Sequence, residues 1–204
     1  MRSLCRQVRK SSFATTRSAG ATGYVSVVLS LLLMLPPLRA QGSSGSEYPA
    51  KANFLSAFPS FVAWPEEALP PGQAPFLICV FGDFSFGTSL AERARGITVH
   101  SRRVEIRWIR NEQELRSCQI LFVSRSEQKR YSRVLDVVRG QSVLTVGETP
   151  EFLDAGGMVN FTMQQEALQF DVNLEGANKV HLRISSQMLA LARRVVNKTE
   201  AAKT

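Results

Sequence analysis

From Tyr48 onward the chain divides by the period of its apolar positions. Between Tyr48 and Trp64, the residues Ala52, Phe54, Leu55, Phe58, Phe61 and Val62 recur at helical spacing and define one apolar face, which predicts a first helix. Pro59 falls inside that pattern and removes a backbone donor, so the helix is expected to kink or split there; Trp64-Pro65 ends it. A proline-rich, polar stretch over 66–75 reads as a loop. The period then changes. Phe76 to Phe81 is continuously apolar, as a strand buried on both faces of a parallel sheet would be. A polar helix follows from about Thr88 to Arg95. Val104 to Ile109 alternates, which suits a more exposed strand. Asn111 is placed to cap a helical turn through Arg116, and Ile120 to Val123 is a second buried strand. Ser126 to Arg139 has Tyr131, Val134, Leu135 and Val138 on one face, with Gly140 as its stop, and Val143 to Gly147 is a further strand. Strand and helix alternating at this spacing imply right-handed crossovers.

After Pro150 the rhythm shortens. Phe152 begins a short apolar turn, Gly156-Gly157 breaks it, and Val159–Met163 and Leu168–Leu174 face each other across a polar turn at residues 164–166. That is a hairpin. A long closing helix is expected from about Glu175 to Asn197, giving Val180, Leu182, Ile184, Met188, Leu189, Leu191, Val195 and Val196 to the core. The fold class is therefore α/β: a mainly parallel sheet flanked by helices, with a C-terminal antiparallel edge hairpin and a closing helix. Residues 48–198 form one domain of a size that supports a proper core, with 199–204 as a polar tail. No internal repeat is visible.

The first forty residues have a different character. Arg2, Arg6, Arg9, Lys10 and Arg17 are followed by an apolar run from Tyr24 to Leu35, the helix breaker Pro36-Pro37, and Leu38-Arg39-Ala40. Basic region, short apolar core and small residue describe a secretory signal peptide over 1–40, cleaved near Ala40. A retained anchor needs about twenty apolar residues, and the double proline stops this run too soon. Residues 41–47 read as a flexible leader. Export also changes the charge argument: the full chain is formally +8, but its first forty residues hold six of the 25 basic side chains and none of the 17 acids, which leaves a surplus of two. Nothing in that balance calls for nucleic acid.

Cys5 leaves with the signal, so the exported domain keeps Cys79 and Cys118. An even count in an oxidising compartment favours a structural disulfide. Two buried free thiols or a redox pair are the other readings, although a redox pair prefers the close spacing that is absent here. No catalytic residue, metal site or cofactor is indicated. His100 and His181 lie in different elements without ligand spacing. There is no Gly-x-Ser-x-Gly elbow, and Gly82 to Gly87 matches neither phosphate-binding fingerprint. The acids Asp83, Asp154, Asp171 and Glu175 fall in turns or at strand ends. An enzyme is not expected.

Four stretches taken together resemble the YfiR family over essentially the whole exported domain. They are Ala52 to Trp64-Pro65; Phe76 to Gly82 with Cys79; Gly147 to Phe161 with its glycine pair; and Phe170 to Asn173 followed by Ile184-Ser185-Ser186 and Leu189 to Ala192. The resemblance implies a periplasmic α/β protein, often a homodimer. It implies a non-enzymatic repressor that restrains a membrane-bound diguanylate cyclase through its periplasmic sensing domain, lowering cyclic di-GMP and biofilm output. It further implies that a peptidoglycan-associated outer-membrane protein can titrate the repressor away, and that the redox state of a disulfide matching Cys79–Cys118 matters. Family members can carry a second disulfide in the C-terminal half, and this chain lacks those cysteines. Phe54, Phe58, Phe61 and Trp64 of the first helix, with Phe161 and Phe170 of the hairpin, are the candidate partner-binding residues. The second functional class is a periplasmic ligand-binding or sensor module serving a different membrane receptor or kinase.

Overall fold

The computed structural model describes residues 44–83 and 87–197. The expected signal peptide and the polar tail lie outside the described residues. The first helix, α1, runs Ser44–Ala57, beginning inside the stretch expected as leader. It ends where the sequence placed the break: a 3₁₀ turn, Phe58–Ser60, takes over with Pro59 in its first positions, because proline cannot donate to a continuing helix and disfavours helical backbone before it. Trp64 is therefore not helical; it follows a two-residue strand, β1 (Val62–Ala63).

The alternating middle of the chain forms as expected. Strand β2 (Phe76–Phe81) is buried throughout and leads to helix α2 (Gly87–Ala94). Next come β3 (Thr98–Val99), β4 (Arg102–Ile109) and β5 (Ile120–Val123). Asn111 does cap the turn before β5, accepting from the Gln113 N–H at 3.1 Å. Helix α3 (Tyr131–Val137) is shorter than the amphipathic pattern, whose first part is a 3₁₀ turn over Arg125–Arg130. Strand β6 (Leu144–Gly147), helix α4 (Pro150–Asp154) and the hairpin β7 (Val159–Gln164) and β8 (Ala167–Asn173) follow.

The closing helix is the main correction. Glu175 to Asn197 folds instead as α5 (Leu174–Lys179), β9 (Arg183–Ile184), α6 (Ser186–Leu191) and β10 (Arg194–Val196). The physical reasons are local. His181 adopts a left-handed backbone at φ 60°, which no helix continues through. Ser185 then caps α6 by accepting from the Met188 N–H.

The sheet has eight strands in the order β10-β8-β7-β6-β5-β2-β4-β3. Five of its pairings are parallel, and β7–β8 and β3–β4 are antiparallel. The hairpin extends the parallel strands as expected, and β10 then pairs along its outer strand, Val195 opposite Val172. A separate clasp joins β1 to β9, Val62 opposite Ile184, with the Ser185 N–H donating to the Phe61 carbonyl at 2.8 Å. Both faces of the sheet are covered. One packs Phe76, Ile78, Val80, Ile120 and Phe122 against α1, α2 and the C-terminal segments. The other packs Leu77, Cys79, Phe81, Leu121 and Val123 against α3 and α4.

Phe152 of α4 shows how tight that second face is. It is fully buried between two glycines. A Cβ on Gly147 would stand 2.2 Å from its ring, and one on Gly157 2.2 Å from the ring and 2.7 Å from the Phe152 carbonyl oxygen. The ring can turn away from an intruder, but the carbonyl accepts the Gly157 N–H at 2.9 Å and is fixed. Gly157→Ala is therefore expected to destabilise by about 1–3 kcal/mol or more, the range of overpacked cores. Urea unfolding checks this, and a loss below about 0.5 kcal/mol would mean that the turn yields freely.

Candidate functional site

The two cysteines do meet. Cys79 lies in the middle of β2, and Cys118 closes the turn that leads into β5. They form a disulfide with Cα atoms 5.8 Å apart, buried beside Phe81, Leu121 and Tyr131. The neighbouring Gln119 completes the join: its side-chain oxygen accepts from the Leu77 N–H at 2.8 Å and its own N–H donates to the Leu77 carbonyl at 3.0 Å. Covalent and hydrogen bonds thus fix where β5 enters beside β2. The bond is enclosed by core rather than presented at a surface.

The candidate aromatics converge on one place. Helix α1 and the hairpin, separate in sequence, interlock through Phe54, Phe58, Phe161 and Phe170. Ring centroids are 5.4 Å apart for Phe54–Phe170 and 5.9 Å for Phe58–Phe161, within the range in which aromatic pairs add to simple burial. Trp64 packs edge-on against Phe76 at 4.9 Å. The structure places Phe58, Trp64, Phe161 and Phe170 in the core. Phe54 and Phe61 are half-buried at its margin. Their helical spacing reported an inward face, because the faces of α1 and of the hairpin turn toward each other.

A charged group missed by sequence reasoning lines a cleft beside Phe161 of this cluster. Lys51, on the same helix, is 1% exposed, and its Nζ lies 2.5 Å from a carboxylate oxygen of Glu47 and 2.5 Å from one of Glu148. Glu148 follows β6 and is itself 7% exposed. It also accepts from the Arg125 N–H at 2.7 Å, and the Arg125 guanidinium is 3.7 Å away. A cleft of about 290 Å³ beside these groups is walled by Phe161, Met163 and Leu168. The spacing of Glu47 and Lys51 suits an ion pair along a helix, but its burial is not announced, since a lysine on a surface helix ordinarily reads as solvated.

Several other titratable residues serve structure. Asp171 is buried, and Arg193 grips it in a bidentate pair, with Arg194 as a further partner at 3.1 Å. That pair anchors β10 to β8 and raises the Arg193 pKa. Glu175 pairs with Lys179 at 2.7 Å. Asp83 and Asp154 are exposed at element ends. His181, expected on the last helix, is an exposed turn residue, and His100 occupies another left-handed turn. Burial pushes the Tyr131 phenol up, and its hydroxyl is bonded to Thr149 at 3.4 Å. Among the described residues no group of three or more His, Cys, Asp or Glu side chains is placed to hold a metal. No helix among them is long and apolar enough to cross a membrane. An apolar cleft of about 470 Å³ opens between Leu135, Val138, Met158 and Val180, with Arg139 and Lys179 also in its lining.

Two solved structures share parts of this arrangement. One is the ABC domain in complex with L-Trp from Streptococcus pneumonia, 11% identical, covering 59% of this chain and 55% of that one at a TM-score of 0.45. The other is a conserved domain protein from Vibrio cholerae, 10% identical, covering 64% of this chain and 57% of that one at a TM-score of 0.44. The chain thus spans little more than half the length of either, and neither likeness bears on function. The family comparison is of another order: the YfiR/HmsC-like family model matches residues 48–193, from the second turn of α1 to the bidentate arginine before β10. The chain belongs to the YfiR/HmsC-like family, which is of a periplasmic, regulatory and non-catalytic kind.

Proposed function

We propose that this protein is a periplasmic regulator that restrains a membrane-bound diguanylate cyclase by contacting its periplasmic domain, lowering cyclic di-GMP and with it biofilm output. The observation that carries the reading is the family match over 48–193, which takes in all ten strands but the last. A domain closed on both faces and stapled by a buried disulfide suits a binding protein in an oxidising compartment. Within this proposal the protein acts as a homodimer, and a peptidoglycan-associated outer-membrane protein relieves repression by competing for it. Its contact surface is the margin of the aromatic cluster, where Phe54 and Phe61 remain partly accessible and Phe58, Trp64, Phe161 and Phe170 support them from behind.

The test is intracellular cyclic di-GMP in the native host with the gene deleted and then restored. Deletion is expected to raise it several-fold, and the wild-type gene to bring it back. Restoration with Phe61→Asp is expected to leave it high while the purified variant still folds. An unchanged level on deletion, with other cyclases removed, would overturn the reading. That outcome would favour the second class, a ligand-binding or sensor module for another membrane receptor or kinase, for which the 470 Å³ apolar cleft is the supporting observation.

A further inference from the structure

The charge of this molecule is unevenly distributed. Residues 93–110 hold six arginines (Arg93, Arg95, Arg102, Arg103, Arg107 and Arg110) against the single acid Glu105. The segment carries a surplus of five where all residues after the fortieth together carry two, so the rest of that region is net acidic. In space this segment is one end of the sheet: the end of α2, then β3 and β4. Arg102 is used internally, donating through Nε to the Pro70 carbonyl at 2.9 Å. Arg103 reaches Glu105 only loosely, at 3.6 Å with both side chains in solvent. Arg93, Arg95, Arg107 and Arg110 are exposed and make no ion pair among the described residues.

The same end of the sheet is open. Strand β3 pairs β4 only at Arg102 and Arg103, and the Val104 N–H donates to the Ile97 carbonyl at 3.1 Å. From Glu105 to Ile109 no strand among the described residues lies on that side, while β2 is paired along the other. Because the Val104 N–H points outward and backbone groups alternate along a strand, the N–H and carbonyl of Ile106 point outward as well. Glu105, Arg107 and Trp108 are exposed, Trp108 to 47%. An edge of this length is a template for another strand. Charge chooses which one. A second copy of this chain, laid edge to edge, would set arginines against arginines, whereas an acidic segment meets complementary charge on both sides of its backbone.

We propose that the outer edge of β4 is a docking site for an extended acidic segment of a partner protein, which adds to the sheet as a further strand. Arg103, Arg107 and Arg110 receive its carboxylates, and the outward backbone groups around Ile106 receive its main chain. This does not rest on the cyclase reading, and its test is separate. The probe is a fluorescent peptide of alternating valine and glutamate, titrated against the full domain and followed by anisotropy and by hydrogen exchange over residues 104–109. Binding is expected, with slowed exchange confined to that strand. The double variant Arg107→Glu/Arg110→Glu, both changes on exposed side chains, is expected to weaken it about tenfold or more at an unchanged melting temperature. Methylating the peptide's backbone nitrogens is expected to abolish binding, because charge alone then remains. The proposal is overturned if the peptide does not bind, if the methylated peptide binds equally well, or if β4 shows no protection. It is also overturned if anionic lipid vesicles, but not the peptide, bind in an arginine-dependent way, since the patch would then be a membrane-facing one.

Discussion

Lys51→Ala is expected to cost the domain about 3–5 kcal/mol, the range for removing one partner of a buried ion pair. The lysine itself is not the main source of that loss. Taking it away leaves Glu148, 7% exposed, and Glu47, 22% exposed, to the Arg125 guanidinium alone, which is 63% exposed and stands 3.7 Å and 3.9 Å from them. A solvated cation at that range offsets much less of their repulsion than a buried ammonium 2.5 Å from both. Helix α1 loses its tie to the carboxyl end of β6. Urea denaturation of the wild type and the variant measures the difference. The control is Lys51→Met with Glu47→Gln and Glu148→Gln, which removes the stranded charges along with the cation. It is expected to recover most of the loss, because a buried ion pair replaced as a whole is often near neutral. If Lys51→Ala costs less than about 1 kcal/mol, water reaches the site and the triad is no more than a surface pair.

Cys79→Ser/Cys118→Ser should lower stability by about 4 kcal/mol on the chain-entropy model, given the 39-residue separation of the two cysteines. For a domain of this size that corresponds to a melting temperature lower by roughly 10 °C, and reductant applied to the wild type should approach the same value. The fold itself is expected to survive. The Gln119 hydrogen bonds still set β5 beside β2, and the surrounding core of Leu121, Tyr131 and Phe81 does not depend on the sulfur bond. Thermal unfolding with and without reductant decides the matter. A shift of only a degree or two would assign the bond no structural role. Under the proposed function, cyclic di-GMP measured with the variant at a temperature where it is still folded then reports regulation apart from stability.

Sequence carried the middle of the molecule well and its end poorly, for identifiable reasons. Strands β2 and β5 were legible because a strand covered on both faces is apolar at nearly every position, as Phe76–Phe81 and Ile120–Val123 are throughout. Glu175 to Asn197 was not. Val180, Leu182 and Ile184 alternate, Met188 and Leu189 suit a helix, and Val195-Val196 suits either, so a window spanning all of them averages into a helical pattern. Ser185, a helix start inside the supposed helix, was the available signal. The disulfide was among the readings that the cysteine count allowed. Of the aromatic candidates, Phe58, Trp64, Phe161 and Phe170 are core and Phe54 and Phe61 lie at its margin, since a periodic stripe records an apolar face without saying what covers it. For Lys51 only the local partner was legible, Glu47 four positions earlier; Glu148 is 97 positions away, and a distant ion pair has no period.

The clasp between β1 and β9 also bears on timing. It joins segments roughly 120 residues apart through two residue pairs, and closing a loop that long costs entropy which so small a ladder does not return. It therefore forms after the sheet has already brought the two ends of the chain together, as contacts distant in sequence do. Val62, Trp64 and Leu182 around it are buried in the main core, so what then holds it is packing more than its own ladder. The residues flanking it are Phe61 and Trp64 on one side and Ser185 on the other. The margin of the aromatic run is thus closed late in folding, by a join that packing and not backbone pairing keeps in place.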